Sequence, residues 1–141
     1  MKTISTFNLG PGWAMHQVEL RMFDGEDIED LRAVAMDVNR AILSSDVPSG
    51  IFYSGKFEQD HQEPLLILLN ERRKGRLMTN TLPHELCHLV GFLCKRYKTD
   101  LLEENAAYTM GYLNEAFTAV LTEHLASLEP KPEQVPNKQA H

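Results

Sequence analysis

Thr81-Leu82-Pro83-His84-Glu85-Leu86-Cys87-His88-Leu89-Val90 is the stretch on which the reading of this chain turns. Within it His84-Glu85-Leu86-Cys87-His88 has the form H-E-x-x-H, whose spacing carries a mechanism. Residues four apart lie one turn apart on the same helix face, so His84 and His88 can present two imidazoles to one metal ion. Glu85 is about 100° round the wheel from His84, placed to hold a water beside the metal without ligating it. Zinc lowers the pKa of bound water from about 16 to roughly 7, so a carboxylate there can take the water's proton at neutral pH. The pattern implies attack of water on a carbonyl.

The surroundings suit a helix. Asn80 or Thr81 can cap it, and Pro83 falls in the first turn, where its missing N–H is harmless. Leu82, Leu86, Leu89, Val90 and Leu93 make one apolar stripe, with His84, His88 and Gly91 on the other side of the wheel. The competing structural reading is an amphipathic helix with two incidental histidines, but packing gives no reason for a glutamate beside the first of them. The helix is expected to run from about Leu82 to Tyr97.

The rest of the composition narrows the setting. A chain of 141 residues, 43% hydrophobic and 24% charged, can bury one core and predicts a single domain. No run approaches the roughly 20 apolar residues of a membrane span, and the N-terminus lacks the apolar segment of a signal peptide, so a cytoplasmic protein is expected. A net charge of −6 argues against a general nucleic-acid binder. Cys87 and Cys94 would stand about 10 Å apart along one helix, too far for a disulfide, and read as two small buried thiols.

Taken in order, residues 1–12 read as a lead-in ending in the Gly10-Pro11-Gly12 turn. A strand is expected between Trp13 and Phe23, then Asp24-Gly25 turns into an acidic helix start. Ile28, Leu31, Ala35, Val38 and Ile42 repeat at helical spacing to about Leu43, for a helix packed on a sheet. Ile51-Phe52-Tyr53 is a short strand, and Pro64 to Asn70 is the strongest one, apolar on both faces. Glu71 to Arg76 reads as a solvated basic turn. Asp100 can cap a last helix over about Leu101 to Leu128, and 129–141 is a proline-rich polar tail. The fold class is therefore α+β: one domain over 1–128 with a small mixed sheet, a packed helix, an H-E-x-x-H helix and a C-terminal glutamate helix. That last helix would be about 40 Å long, more than one small core can cover, which points to a homodimer or partner face.

A catalytic zinc has three protein ligands and one open position. The downstream candidates for the third are Glu103, Glu104, Glu115, Glu123 and His124. Glu104 lies opposite the stripe of Leu102, Ala106, Met110, Leu113, Phe117, Val120 and Leu121, sharing its side with Tyr108, Gly111 and Glu115. Gly111 there would permit close approach of a second backbone. The bland alternative for Glu104 is a solvated carboxylate. His16 reads as a strand residue, His61 as part of a polar loop and His141 as the terminus, and His124 is about 30 Å along the helix from Glu104, so it is no co-ligand.

His84-Glu85-x-x-His88 followed by Glu104-Asn-Ala-Ala-Tyr108-x-x-Gly111 resembles the gluzincin arrangement of zincin metallopeptidases, and is similar to small zincin-like proteins encoded by phages. The resemblance covers residues 64–117. It implies a Zn²⁺ held by His84, His88 and Glu104, with Glu85 as general base and then acid, and a peptide or protein as substrate. In that family an aspartate usually follows one turn after the ligand glutamate; Tyr108 stands there, and its hydroxyl is a candidate oxyanion donor. The resemblance also implies that substrate lies along a sheet edge near the active helix, with Pro64 to Asn70 as the candidate strand. The reading from another class is a metal-bearing scaffold that binds a host or virion protein without cleaving it.

Overall fold

A computed structural model describes residues 1–13, 15–34, 47–54, 64–100 and 103–129. The strands are β1 (Lys2–Asn8), β2 (Gln17–Phe23), β3 (Gly50–Tyr53) and β4 (Leu65–Asn70). The helices are α1 (Ile28–Val34), α2 (Leu82–Arg96) and α3 (Glu104–Ser127). The four strands form one mixed sheet in the order β1-β2-β4-β3. β1 runs antiparallel to β2, β2 parallel to β4, and β3 antiparallel to β4. The mixed α+β architecture expected from the sequence is present; the expected helical residues Ala35, Val38 and Ile42, His61 and the tail from 130 lie outside the described residues.

Alternation on the strands sorts the core into two layers. Val18, Leu20 and Met22 of β2, with Leu65, Ile67 and Leu69 of β4, face α2 and α3 and join Leu82, Leu86, Leu89, Val90, Leu93, Leu113 and Phe117. Leu66 and Leu68 point the other way, onto Leu31 of α1 with Phe23, Ile51 and Tyr53. All six residues of β4 are buried, as a strand covered on both faces must be.

Three local readings change. Residues 2–8 are a strand, not a lead-in: β1 is an edge whose residues are exposed or only partly buried, so it carries little apolar pattern. The basic segment is not a turn. Asn70 accepts a hydrogen bond from the Arg72 N–H and starts a helical run, through a 3₁₀ turn (Glu71–Arg73), one α turn (Lys74–Arg76) and a π-helix (Leu77–Thr81) into α2. Thr81 is therefore inside the run, with helical φ and ψ, and caps nothing. A regular helix cannot pass through Pro83, whose ring meets the carbonyl four residues back; the wider π turn is where the chain makes room.

At its far end α2 closes with the Tyr97 N–H on the Leu93 carbonyl and the Thr99 N–H on the Cys94 carbonyl, 2.8 Å. Between them Lys98 takes φ 56°, the left-handed position usually held by glycine. A side chain there costs about 1 kcal/mol relative to glycine. α3 begins behind Glu103, whose side chain makes no cap; Leu101 and Leu102, where the helix was expected to start behind Asp100, lie outside the described residues. Ala106, Leu113, Phe117 and Leu121 bury the predicted stripe, and Phe117 stacks on Phe7 of β1 at 4.4 Å. Among the described residues, no helix is long and apolar enough to cross a membrane.

Candidate metal and catalytic site

The apolar stripe of α2 locks its rotation, and that rotation turns His84 and His88 outward. Their Nε2 atoms face one another at 3.2 Å, with the rings edge to face at 4.8 Å between centroids. Two imidazole nitrogens on one tetrahedral zinc, each about 2.0–2.1 Å from it, stand about 3.3–3.4 Å apart. The pair thus has the spacing of one edge of such a site.

Glu85 is placed differently. Its residue is 7% exposed, tucked between α2 and β3, and its Oε2 lies 3.9 Å from His84 Nε2. Burial pushes its pKa above the ordinary 4.5; the two imidazoles and the Phe52 backbone N–H, which donates to the carboxylate, pull the other way. The result is a carboxylate more basic than a solvated one, held beside the histidine pair.

The sheet edge beside this carboxylate is β3, which corrects the expectation for Pro64 to Asn70. β4 is internal, paired with β2 on one side and β3 on the other. The Asn70 N–H donates to the Ser49 carbonyl, so residues 49, 51 and 53 turn their polar groups toward β4, and Gly50 and Phe52 turn theirs to the open edge. Glu85 takes the Phe52 N–H at that edge.

Gly50 is what allows so close an approach. A Cβ there would lie 2.5 Å from Thr81 Cγ2, 3.1 Å from Leu69 Cδ2 and 3.2 Å from Glu85 Cγ. Thr81 itself is buried one turn before Glu85, and its hydroxyl has no hydrogen-bond partner among the described residues. A buried, rotatable donor without an acceptor is uncommon, and this one sits next to the glutamate. From the sequence, Thr81 is no more than a candidate helix cap and Gly50 the end of a loop. The signal for the glycine was the short strand beginning at it.

A cleft of about 550 Å³ opens over these groups, lined by Gly50, Ile51, Phe52, Glu85, His88, Gly91, Phe92 and Lys95. Phe52 and Phe92 form its apolar wall, with ring centroids 5.7 Å apart. Nothing lies within 4 Å of where a Gly91 side chain would begin. The absent side chain keeps the cleft floor open.

Glu104 does not join the histidines. Among the described residues no group of three His, Cys, Asp or Glu side chains is placed to hold a metal ion. α3 packs antiparallel to α2, with Thr122 Oγ1 donating to Met78 Sδ at 3.1 Å at one end and Glu103 close enough to act on the Cys94 thiol at the other. Glu104 is therefore level with Arg96, about 12 Å along the helix from His88, and is exposed. Among the described residues nothing lies within 4 Å of where a Gly111 side chain would begin, so the glycine serves no close approach of helices there. Tyr108 is 72% exposed and lines a separate hollow with Trp13 and Tyr112. His124 is not idle: its Nε2 meets Glu71 Oε2 at 2.5 Å. Of the two cysteines, Cys94 is buried as expected and Cys87 is exposed.

In comparisons with known proteins, the chain matches no family model, no curated protein and no solved structure.

Proposed function

We propose that this protein is a zinc-dependent hydrolase that cleaves a peptide bond, with His84 and His88 holding the metal and Glu85 acting as general base. The observation that carries the reading is the pairing of two Nε2 atoms 3.2 Å apart with a buried carboxylate beside them, under an open sheet edge. Zinc bound there supplies a Lewis acid that polarises a carbonyl and makes water acidic enough to lose a proton near neutral pH.

The chain's own residues do the rest. Glu85 takes the proton of the attacking water and returns it to the leaving amine nitrogen; its desolvation strengthens it as a base. The Phe52 N–H fixes the carboxylate against β3, so base and substrate edge are held in one frame. An extended peptide can pair with the outward carbonyls of Gly50 and Phe52 and so lay a carbonyl over the histidine pair. The small zincin-like resemblance is part of this proposal; Glu104, as placed, is not in reach of the metal position.

The rival reading, a metal-bearing scaffold that binds a host or virion protein without cleaving it, draws on the missing third donor among the described residues. The exposed Tyr108 and Tyr112 on α3 would be its contact face. A peptide panel assayed with and without chelator separates the two. Chelator-sensitive cleavage that disappears in Glu85→Gln while zinc is retained supports the hydrolase. Cleavage that survives in Glu85→Gln contradicts the assigned mechanism.

A further inference from the structure

Resting on the peptidase reading above, we propose that the cleft selects peptides carrying a carboxylate about three residues from the reacting carbonyl, and that Lys95 and Lys98 bind that carboxylate. The cleft that contains Glu85 and His88 at one end contains Lys95 at the other. It adjoins a second hollow of about 370 Å³, lined by Phe92, Lys95, Arg96 and Lys98, so Phe92 and Lys95 are walls of both. In a chain of net charge −6, the cleft and the hollow that adjoins it thus hold three cations within four residues, Lys95 in both and Arg96 and Lys98 in the hollow.

The distances match an extended peptide. Lys95 is seven residues beyond His88 on α2, about 10 Å along the axis. A strand rises about 3.3 Å per residue, so a peptide with its carbonyl over His88 reaches Lys95 with its third neighbour. In between, the chain passes the open floor at Gly91 and the Phe52–Phe92 wall, which suit an apolar side chain.

Lys98 adds a separate observation. It occupies the left-handed closing position of α2, where glycine is favoured, and it lines the second hollow. Arg96 lies 6.0 Å over the Tyr97 ring and is already engaged, which leaves Lys95 and Lys98 as the pair assigned to the ligand. Among the described residues the acidic groups at this end of α2 include Asp100 and Glu103, whose charges act on the Cys94 thiol, and the exposed Glu104. The ligand is recognised by its charge and by its distance from the reacting bond.

The test uses the full chain dialysed against zinc, as the Glu85→Gln variant so that bound peptide is not consumed. Two fluorescent octapeptides with a central Leu-Leu differ only in carrying Glu or Gln three residues from that pair, and binding is read by anisotropy. The Glu peptide is expected to bind about tenfold tighter, since two ammonium contacts in a half-enclosed cleft each contribute a few-fold. Lys95→Glu should abolish the preference. Lys98→Gly should also lose most of it while raising the melting temperature, a combination that a purely structural lysine would not give. Arg76→Glu, at the opposite end of the helical run, should leave the preference intact.

Equal affinities, no binding of either peptide, or an equal loss in Arg76→Glu would overturn the inference. The same peptides given to the unmodified chain, with and without chelator, report on peptidase activity separately. Cleavage without preference defeats this inference alone, and preference without cleavage defeats the peptidase reading alone.

Discussion

Replacing Gly50 by alanine places one carbon where the edge strand crosses the catalytic helix. That carbon would sit 2.5 Å from Thr81 Cγ2, against the roughly 3.5–4.0 Å of a normal carbon contact, an overlap of more than 1 Å. Neither neighbour can swing away easily, because Thr81 is 3% exposed and Leu69 is 0% exposed. Overpacking of this kind costs about 1–3 kcal/mol, and displacing β3 would also lengthen the Phe52 N–H bond to Glu85. For a domain of this size the expected fall in melting temperature is about 5–10 °C, read by circular dichroism. The clash is chiefly with a methyl group, so Thr81→Ser should relieve it. Alone that change costs about 0.8 kcal/mol, but combined with Gly50→Ala it should restore at least about 1 kcal/mol. The reasoning is refuted if Gly50→Ala is as stable as the parent, or if the two substitutions simply add.

Other outcomes follow from the same geometry. In metal-free protein Glu85 holds its proton to higher pH when folded than when unfolded, because burial raises its pKa above 4.5. Between the two pKa values the folded state binds the extra proton, so stability falls as pH rises through that window. Glu85→Gln should therefore be more stable than the parent at pH 7 and gain nothing near pH 4; urea midpoints at both pH values check the sign. Gly91→Leu removes a helix glycine with open space around it, so it should stabilise α2 by about 0.5–1 kcal/mol yet depress turnover by filling the cleft floor. A loss of both stability and activity would contradict that placement. Glu104→Gln should leave zinc content unchanged, since Glu104 stands outside the histidine pair. Of the thiols, Cys87 should react with a disulfide reagent in the folded protein, and Cys94, buried and with its pKa raised by burial, only on unfolding.

The H-E-x-x-H helix was readable because its stripe of five apolar residues fixes which face meets solvent, and both histidines fall on the other side. β4 was readable as a covered strand, but not its position in the sheet. Pairing of β2 with β4 joins residues some 47 apart in the chain, Val18 with Leu65, and nothing local encodes that partner. The short strand at Ile51 to Tyr53 was readable too, but with β4 taken as the edge its own edge position was not, although four residues opening on a glycine is how an edge strand is often kept small. β1 escaped because an edge strand with little buried surface needs no apolar alternation. Glu104 was legible as a carboxylate opposite the apolar stripe and became a ligand through the resemblance; the antiparallel register of α3 on α2 sets it level with Arg96.

Whether His84 and His88 hold a metal ion is decided by zinc content per chain, measured by elemental analysis on untagged protein beside a His88→Ala variant. Nearly one zinc per chain in the parent and none in the variant is the expected result, because each imidazole supplies one of two donors that face each other at 3.2 Å. No metal in either protein, even after dialysis against zinc, would contradict it, leaving the His84–His88 contact a hydrogen bond between neighbouring rings and Glu85 a buried acid with no water to activate.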